Sequence, residues 1–377
     1  MDAQLDEHQR LLQETARDFL ARECPMRFVR EMMDHPAGTT ESFWKQLGEL
    51  GWTGLVVPES LGGAGLGWLD LAVLFEEMGA GLVPGPFFSS VVLGATTIDL
   101  AGTAGQRERW LPGLAAGDLR ATLALQEPGS GTTGPIRLVA HPEGGSVRLT
   151  GAKCFVPDGY TADWIVVAAR RGHEGGPLVL AAVPSDAPGL AARPVDYTDA
   201  TRKLAELRFD DVSVPAEALL GDGEDAAPAL EAVLDRVRVA LCAEMAGIGQ
   251  RVLDLSVAYA KTREQFGKPI GSFQAIQHKC ADMLLRVENM RSAAWHAAWS
   301  LDEGEPDAHT AACMAQAYAS EACSHVAGEG IQIHGGLGYT WEQDLHLYYK
   351  RAKANEVALG DASQHRELVA RAVIDGV

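Results

Sequence analysis

Hydrophobic positions recur at helical spacing in the first part of the chain. Between residues 5 and 120, apolar side chains return every three or four positions, as at Leu12, Ala16 and Phe19. This spacing places them on one face of a helix. Gly and Pro residues interrupt the pattern and mark turns between successive helices. The pattern predicts an N-terminal helical domain over residues 1–120.

After residue 121 the pattern changes to short runs typical of strands. Runs rich in apolar and β-branched residues are separated by Gly, Pro and Asp, as expected for strands joined by turns. The runs are residues 146–149, 164–168, 178–183 and 204–209. They predict a compact antiparallel, barrel-like β domain over residues 121–224.

The helical period returns towards the end of the chain. From residue 229 onward, Leu230, Leu234, Val237 and Leu241 fall on one face. Later helices are predicted near residues 273–299 and 306–327. A helical domain over residues 225–377 therefore follows the β domain, and the predicted fold class is α+β.

Composition excludes several classes of partner. The chain has 32 Lys and Arg against 51 Asp and Glu, a formal net charge of -19, which repels nucleic acid and anionic lipid. No apolar run approaches the roughly 20 residues that span a bilayer, and the polar start does not resemble a secretory leader. The six cysteines include no Cys-x-x-Cys pair, so we expect no metal site and a reducing compartment. These features predict a cytoplasmic protein that binds no nucleic acid and has no membrane span.

Four separated segments carry candidate chemistry. They are LQEPGSGT (residues 125–132), GAKCFVPD (151–158), REQFGKPIGSFQ (263–274) and QIHGGLGY (332–339). Glycines let backbone N–H groups approach a phosphate or a flavin closely. The planar guanidinium of Arg263 matches phosphate oxygens with two hydrogen bonds. In order and spacing the four segments resemble the acyl-CoA dehydrogenase family, over essentially the whole chain.

The resemblance implies a fold and a cofactor. The family has an N-terminal helical domain, a middle antiparallel β domain and a C-terminal four-helix-bundle domain, and it binds FAD. Gln126 and Thr132 match its flavin-binding loop, and Phe155 matches an aromatic residue that backs the flavin. The segments that reach a neighbouring subunit's FAD are matched at Arg263, Phe266, Phe273, Gln274, Gln332, Gly335 and Gly336.

This chain departs from the family pattern at the flavin and at the catalytic base. Pro157 replaces a Thr that hydrogen-bonds near the reactive flavin nitrogen, and proline has neither a hydroxyl nor a backbone N–H. Desaturation also needs a carboxylate over the carbon next to the thioester. The resemblance places that carboxylate at Leu359 or at Val237, and neither residue accepts a proton. Asp361, close to Leu359, matches a family Thr that touches FAD instead.

Glu244 is the fallback candidate for the base. It lies seven residues after Val237, about two helical turns on, and therefore on roughly the same face. The alternative interpretation is that Glu244 satisfies a buried Arg or backbone group. A positioned base contributes about 10²- to 10⁴-fold to the rate, so without one a homo-oligomer should be a feeble enzyme.

Three interpretations of function follow from the resemblance. The first is the base-lacking subunit of an FAD-dependent α2β2 acyl-CoA dehydrogenase, a heterotetramer formed with a paralogous subunit. It would desaturate an acyl-CoA thioester in fatty acid or steroid degradation, including steroid side chains, and pass electrons to an electron-transferring flavoprotein. The second is a homomeric flavoenzyme that uses Glu244 as a relocated base. The third is a non-catalytic structural subunit.

Overall fold

The computed structural model describes residues 4–131, 134–221 and 223–375. Within these residues, helices are followed by strands and then by helices again, as the hydrophobic pattern predicts. The α-helices are α1 Glu7–Glu23, α2 Met26–Asp34, α3 Glu41–Glu49, α4 Trp68–Ala80, α5 Thr96–Ala101, α6 Ala104–Ala115, α7 Ala227–Thr262, α8 Gln274–Glu303, α9 Ala308–His334, α10 Leu345–Val357 and α11 Ala362–Ala370. The strands are β1 Ala121–Ala124, β2 Val139–Glu143, β3 Ser146–Pro157, β4 Trp164–Arg171, β5 Leu178–Pro184, β6 Leu190–Val195, β7 Leu204–Pro215, β8 Glu264–Gln265 and β9 Lys268–Pro269.

The described residues form two compact units. The helical unit contains Gly67–Val83 and the described parts of Met1–Arg30 and Arg238–Val377. The sheet unit contains Glu31–Leu66 and the described parts of Pro84–Val237. Each unit therefore combines segments that are distant along the chain. The three domain boundaries drawn from the sequence stay a prediction.

Side chains cap helix ends in the helical unit. Asp6 accepts a hydrogen bond from the N–H of Gln9 at 2.8 Å, and the Gln9 side chain accepts one from the N–H of Asp6. At the end of α8, Asp302 accepts from the N–H groups of Trp68 and Leu69 at 2.7 and 2.9 Å. These bonds satisfy N–H groups that have no partner within their own helix. The second cap also holds the start of α4 against α8.

Two glycines let α4 and α7 approach closely. A Cβ added at Gly79 would lie 2.1 Å from the carbonyl oxygen of Glu244. A Cβ added at Gly247 would lie 1.8 Å from the carbonyl oxygen of Glu76. Only a residue without a Cβ fits at these positions, so the two glycines allow the backbones of α4 and α7 to pack against each other.

The predicted apolar face of α7 is buried in the helical unit. Leu241, Met245 and Ile248 have no exposed surface. Around them, α9 contacts α8, α10 and α11. No helix among the described residues is long and apolar enough to cross a membrane.

The sheet unit is built on seven strands in the order β1-β4-β2-β3-β7-β6, with β5 paired to β4. β4 runs parallel to β1 and to β2, and the other pairs are antiparallel. The sheet is therefore mixed, in contrast to the antiparallel arrangement expected from the sequence. β1 is four residues long and buried throughout, so it shows none of the apolar and polar alternation that reveals a half-buried strand.

The cysteines behave as small core residues. Cys24, Cys154, Cys242, Cys313 and Cys323 are buried, and each of the six thiols is free. Burial raises the pKa of the Cys24 thiol to about 12. Such thiols stay protonated near neutral pH and are poor nucleophiles.

Candidate functional site

The loop that follows β1 is closed at its base by a buried carboxylate. Glu127, which is 7% exposed, accepts hydrogen bonds from the N–H groups of Arg137 and Leu138 at 2.9 to 3.0 Å. It also accepts one from Nζ of Lys153 at 2.7 Å. The described part of the loop between Glu127 and Arg137 is therefore tied to β3. Thr132, predicted to contact a flavin, lies outside the described residues.

Gln126 and Phe155, two predicted flavin contacts, lie close together. The carbonyl oxygen of Gln126 accepts a hydrogen bond from the N–H of Cys154 at 2.8 Å. Regular pairing of β3 with β7 is interrupted between Lys153 and Val156. Within this bulge Phe155 has a φ of 52° and its ring is 44% exposed. Bulges often re-aim a side chain, and Phe155 lies within this one.

Pro157 ends β3 without supplying a hydrogen-bond donor. Its carbonyl oxygen accepts a hydrogen bond from Oγ1 of Thr122 at 2.6 Å. Pro157 pairs with Leu204 at the end of the strand. The neighbouring Thr122 hydroxyl is therefore already engaged and does not replace the hydroxyl missing at residue 157.

A short hairpin after α7 presents Arg263 on the surface of the helical unit. The carbonyl oxygen of Arg263 accepts a hydrogen bond from the N–H of Ile270 at 2.8 Å, which closes the hairpin formed by β8 and β9. The Arg263 side chain is exposed and forms no ion pair with another described residue. Phe266 is 91% exposed and contacts the ring of Phe273, with centroids 6.1 Å apart. Gln274 follows as the exposed first residue of α8.

The end of α9 lies beside this hairpin. His334 stacks on Tyr259 with ring centroids 4.2 Å apart, so the ends of α7 and α9 are neighbours. Burial lowers the pKa of His334, whose ring Nδ1 lies 2.9 Å from the carbonyl oxygen of Gly330. Gly335 adopts φ 60° and ψ -138°, a conformation that few residues other than glycine adopt. The structure thus brings the two predicted partner-facing segments together in the helical unit.

The exposed backbone at the end of α9 is open to a ligand or a partner. Gln332 is exposed on the last turn of the helix. A Cβ added at Gly335 or Gly336 would meet no atom within 4 Å. With the free guanidinium of Arg263 nearby, this surface suits a diphosphate, which needs donors that can approach it closely.

The two expected positions of a catalytic base are apolar. Val237 is 1% exposed within α7. Leu359 is half-buried in the tight turn between α10 and α11. The carboxylate of Asp361, in the same turn, accepts a hydrogen bond from the N–H of Gln364 at 2.9 Å and caps α11. Neither expected position therefore offers a proton acceptor, and Asp361 has a structural partner.

Glu244 is enclosed and paired. Its side chain is buried, and Oε1 accepts a hydrogen bond from Arg351 at 2.6 Å. Oε2 accepts one from the Asn355 amide, also at 2.6 Å. Both oxygens are engaged, and Arg351 itself has no exposed surface. The geometry favours the interpretation that Glu244 satisfies a buried Arg, and it argues against a base at this residue.

Comparison with known families identifies the chain. It matches the models for the N-terminal domain of acyl-CoA dehydrogenase over residues 6–118, the middle domain over 122–212 and the C-terminal domain over 227–374. The chain belongs to the acyl-CoA dehydrogenase family. Members are FAD-dependent oxidoreductases that act on the CH–CH group of an acyl-CoA. The match confirms the predicted fold class, with a helical domain on either side of a middle β domain.

Individual relatives of this acyl-CoA dehydrogenase cover nearly its whole length. The probable acyl-CoA dehydrogenase YngJ of Bacillus subtilis is 34% identical over 99% of this chain and 100% of its own. A variant of the Tcur3481-Tcur3483 steroid ACAD has a TM-score of 0.89 and 33% identity, with 98% of each chain covered. The ChsE4-ChsE5 complex from Mycobacterium tuberculosis has a TM-score of 0.89 and 29% identity, with 99% of each chain covered.

Sequence reasoning missed three residues that organise the candidate site. Glu127 and Lys153 lie inside the first two motifs, beside the positions that match the family's flavin contacts. A signal was present, because a charged residue within an otherwise apolar or Gly-rich segment often has a buried partner. Tyr259 lies four residues before Arg263, one helical turn away, and carried no such signal.

Proposed function

We propose that this chain is the subunit without a catalytic base in an FAD-dependent heteromeric acyl-CoA dehydrogenase. With a paralogous subunit it forms an α2β2 heterotetramer that introduces an α,β double bond into a CoA thioester. Electrons then pass to an electron-transferring flavoprotein. The observation that carries the proposal is the apolar side chain at both base positions, Val237 and Leu359, beside a Glu244 already bound by Arg351.

The chemistry explains why a partner is needed. Desaturation removes a proton from the carbon next to the thioester and a hydride from the following carbon. FAD, when bound, accepts the hydride, and a carboxylate must accept the proton. A positioned base contributes about 10²- to 10⁴-fold to the rate. Since this chain has no carboxylate at the expected positions, the paralogous subunit supplies that group.

The helical unit retains the groups that would hold a dinucleotide. Arg263 would donate to the diphosphate, and the open backbone at Gly335 and Gly336 would approach it without steric hindrance. Gln274 and Gln332 are exposed amides in the same two segments. These residues support a role in completing a cofactor site across a subunit interface.

Exposed aromatic residues in the helical unit support a subunit interface. Phe266, Tyr339 and Trp341 are 91%, 78% and 63% exposed. Large aromatic side chains together with Arg are enriched at the centres of protein interfaces. A partner that covers them would also bring its cofactor to Arg263.

The sheet unit retains part of the flavin site. Gln126 and Phe155 lie together, whereas Pro157 supplies neither a hydroxyl nor an N–H. Groups directed at a partner's cofactor are thus more complete than groups that serve the chain's own flavin. This asymmetry is expected of the supporting member of a heteromeric pair.

The relatives favour a steroid-linked acyl group. One solved relative is described as a steroid ACAD, and another is a complex of two differently named subunits. We therefore assign the substrate to CoA thioesters with a steroid side chain, within fatty acid or steroid degradation. A reducing cytoplasm suits the six free thiols.

Expression with and without the paralogous subunit tests the proposal. We expect the chain alone to hold little FAD and to reduce an acceptor dye slowly with acyl-CoA. The mixed complex should have the mass of an α2β2 tetramer, contain stoichiometric FAD and turn over at least about 100-fold faster. A fully flavinylated, rapidly desaturating homotetramer of this chain would refute the proposal.

Two arginine variants separate cofactor binding from assembly. Arg263→Ala should lower the FAD content of the mixed complex, because it removes a charged donor from the diphosphate. Arg22→Ala removes another exposed Arg, on α1, and serves as the control. If both variants leave FAD content unchanged in an intact complex, the chain is a structural subunit.

A homomeric flavoenzyme with altered chemistry is the remaining alternative. It requires Glu244 to act as the base, but both oxygens of that side chain are engaged in the interior. The stability and turnover of Glu244 variants distinguish the two cases.

A further inference from the structure

A fully buried lysine joins the loop after β1 to strand β3. Lys153 has no exposed surface, and its Nζ donates to Oε1 of Glu127 at 2.7 Å and to the carbonyl oxygen of Leu125 at 2.9 Å. Burial lowers the pKa of Lys153, while the hydrogen bond and the charge of Glu127 oppose that shift. Burying an ammonium group costs free energy unless hydrogen bonds and an opposite charge compensate for the lost water. Glu127 and the carbonyl oxygen of Leu125 provide this compensation for Lys153.

Glu127 carries the constraint into the loop. The same carboxylate that binds Lys153 accepts hydrogen bonds from the N–H groups of Arg137 and Leu138. One buried side chain therefore ties Glu127, at the start of the loop, to Arg137 and Leu138, at its end. Gly129 and Gly131, in the described part of this segment, have open space where a Cβ would lie.

Lys153 carries the constraint into the strand as well. It is paired with Leu207 immediately before the irregularity in β3. Phe155 follows in that bulge with a φ of 52°. An aromatic residue at positive φ costs free energy, and such a conformation persists where the surroundings fix it. The adjacent buried ion pair is a group that can fix it.

This arrangement differs from two other ion pairs in the interior of the described residues. Arg291 with Glu76 and Arg351 with Glu244 each join two α-helices. Lys153 with Glu127 joins a strand to a loop, two elements that contain the predicted flavin contacts. A helix-to-helix pair adds to packing, whereas this pair links two segments that are predicted to contact a flavin.

We propose that Lys153 and Glu127 are a positioning pair that holds the Gln126 loop and the Phe155 bulge at the separation a flavin requires. The proposal rests on the proposed function, because it takes both segments as flavin contacts. Neither charged group touches the cofactor. They act through the backbone of residues 125–131 and through the bulge.

Two variants remove the pair in different ways. Lys153→Met keeps most of the side-chain volume but removes the ammonium. Glu127→Gln keeps an oxygen within reach of Lys153 and removes the negative charge. Should Lys153→Met fail to fold, Glu127→Gln supports the same measurements. Glu76→Gln, at another carboxylate that is buried and paired with Arg, is the matched control for general destabilisation.

Amide hydrogen exchange on the mixed complex stripped of FAD tests the positioning directly. We expect faster exchange in residues 126–131, 134–137 and 152–157 for both pair variants, and none of this acceleration for the Glu76 control. Unchanged exchange in these segments would overturn the proposal.

FAD titration of the same complexes tests the consequence for the cofactor. We expect affinity about 10- to 100-fold weaker for Lys153→Met, with a broadened visible flavin band and a smaller effect for Glu127→Gln. The control, at a matched folded fraction, should keep wild-type affinity and spectrum. Faster exchange with unaltered FAD binding would overturn the proposal, because the segments would not be flavin contacts.

The two measurements separate this inference from the proposed function. If the wild-type complex binds no FAD, the proposed function fails regardless of the exchange result. If wild type binds FAD tightly and the variants do so equally, the positioning pair fails while the proposed function stands.

Discussion

Breaking the buried pair of Glu244 and Arg351 should destabilise the helical unit strongly. Arg351 has no exposed surface, and Glu244 is 3% exposed. In Glu244→Gln, the guanidinium of Arg351 has a neutral amide oxygen as its acceptor instead of a carboxylate. The new NH2 group faces the NH2 group of Asn355, so two hydrogen-bond donors meet. Removing one partner of a buried pair costs about 3 to 5 kcal/mol, because the other charge stays buried without compensation.

Chemical denaturation of the purified chain measures this loss. The denaturant midpoint of Glu244→Gln should fall while the slope of the transition stays constant, since a constant slope indicates an unchanged exposure on unfolding. Arg351→Met should have a similar effect. The double variant should lose less than the sum of the two, with an interaction free energy of about 1 to 3 kcal/mol.

Turnover of the chain alone, together with that of the mixed complex, decides between a structural and a catalytic Glu244. A structural role predicts that the folded fraction of Glu244→Gln keeps most of its activity with acyl-CoA. A base would lose about 100-fold or more. The reasoning is refuted if Glu244→Gln unfolds within about 0.5 kcal/mol of wild type, the usual range for surface substitutions, yet loses turnover to that extent.

Three further perturbations follow from the geometry. Pro157→Thr returns a hydroxyl and an N–H to the end of β3. Because one added hydrogen bond contributes about 1 kcal/mol, FAD should bind several-fold more tightly. Weaker binding in an FAD titration would contradict this prediction. Tyr259→Leu removes the stack on His334, which is worth about 0.5 to 1.5 kcal/mol, so it should lower the free energy of unfolding by about that amount and weaken FAD binding to the mixed complex. Equal FAD affinity would argue against a link between the two segments. Burial and the nearby Arg238 lower the pKa of His365 from 6.5 to about 4. Between these two pH values the unfolded chain binds a proton that the folded chain does not, so the free energy of unfolding should fall as the pH drops from 6.5 to about 4. His365→Gln should remove this part of the pH dependence in denaturation curves measured from pH 7 to 4.

The order of helices and strands could be predicted because it rests on local periodicity. The stripe through Leu241, Met245 and Ile248 repeats every three or four residues, and these positions are buried in the structure. The parallel pairing of β1 with β4 could not be predicted in this way. It joins Ala121 to Trp164 across the sheet, and nothing in either short run indicates the direction of its neighbour.

Contiguous motifs in the sequence give candidate site residues, whereas pairs of residues that are distant along the chain give no such signal. Arg263 and Gly335 come from contiguous motifs, and the structure places both segments on the helical unit. The pair of Lys153 with Glu127 spans 26 residues, and that of Arg351 with Glu244 spans 107. Opposite charges at such separations are common in any sequence, so burial, which the sequence does not reveal, is what singles these pairs out.

In the proposed heteromer, apolar residues at the two expected base positions favour the stability of this chain. A carboxylate in an interior position must be desolvated, and it destabilises the fold unless a charge or hydrogen bonds compensate. Val237 in place of an acid adds an apolar contact inside α7, and Leu359 packs as a half-buried residue in its turn. Arg263 and the glycines after α9 remain on the surface and make no such demand on the fold. If a partner subunit provides the base, as proposed, stability favours apolar residues at positions 237 and 359, whereas it gives no advantage to the loss of the exposed residues that are predicted to bind the cofactor.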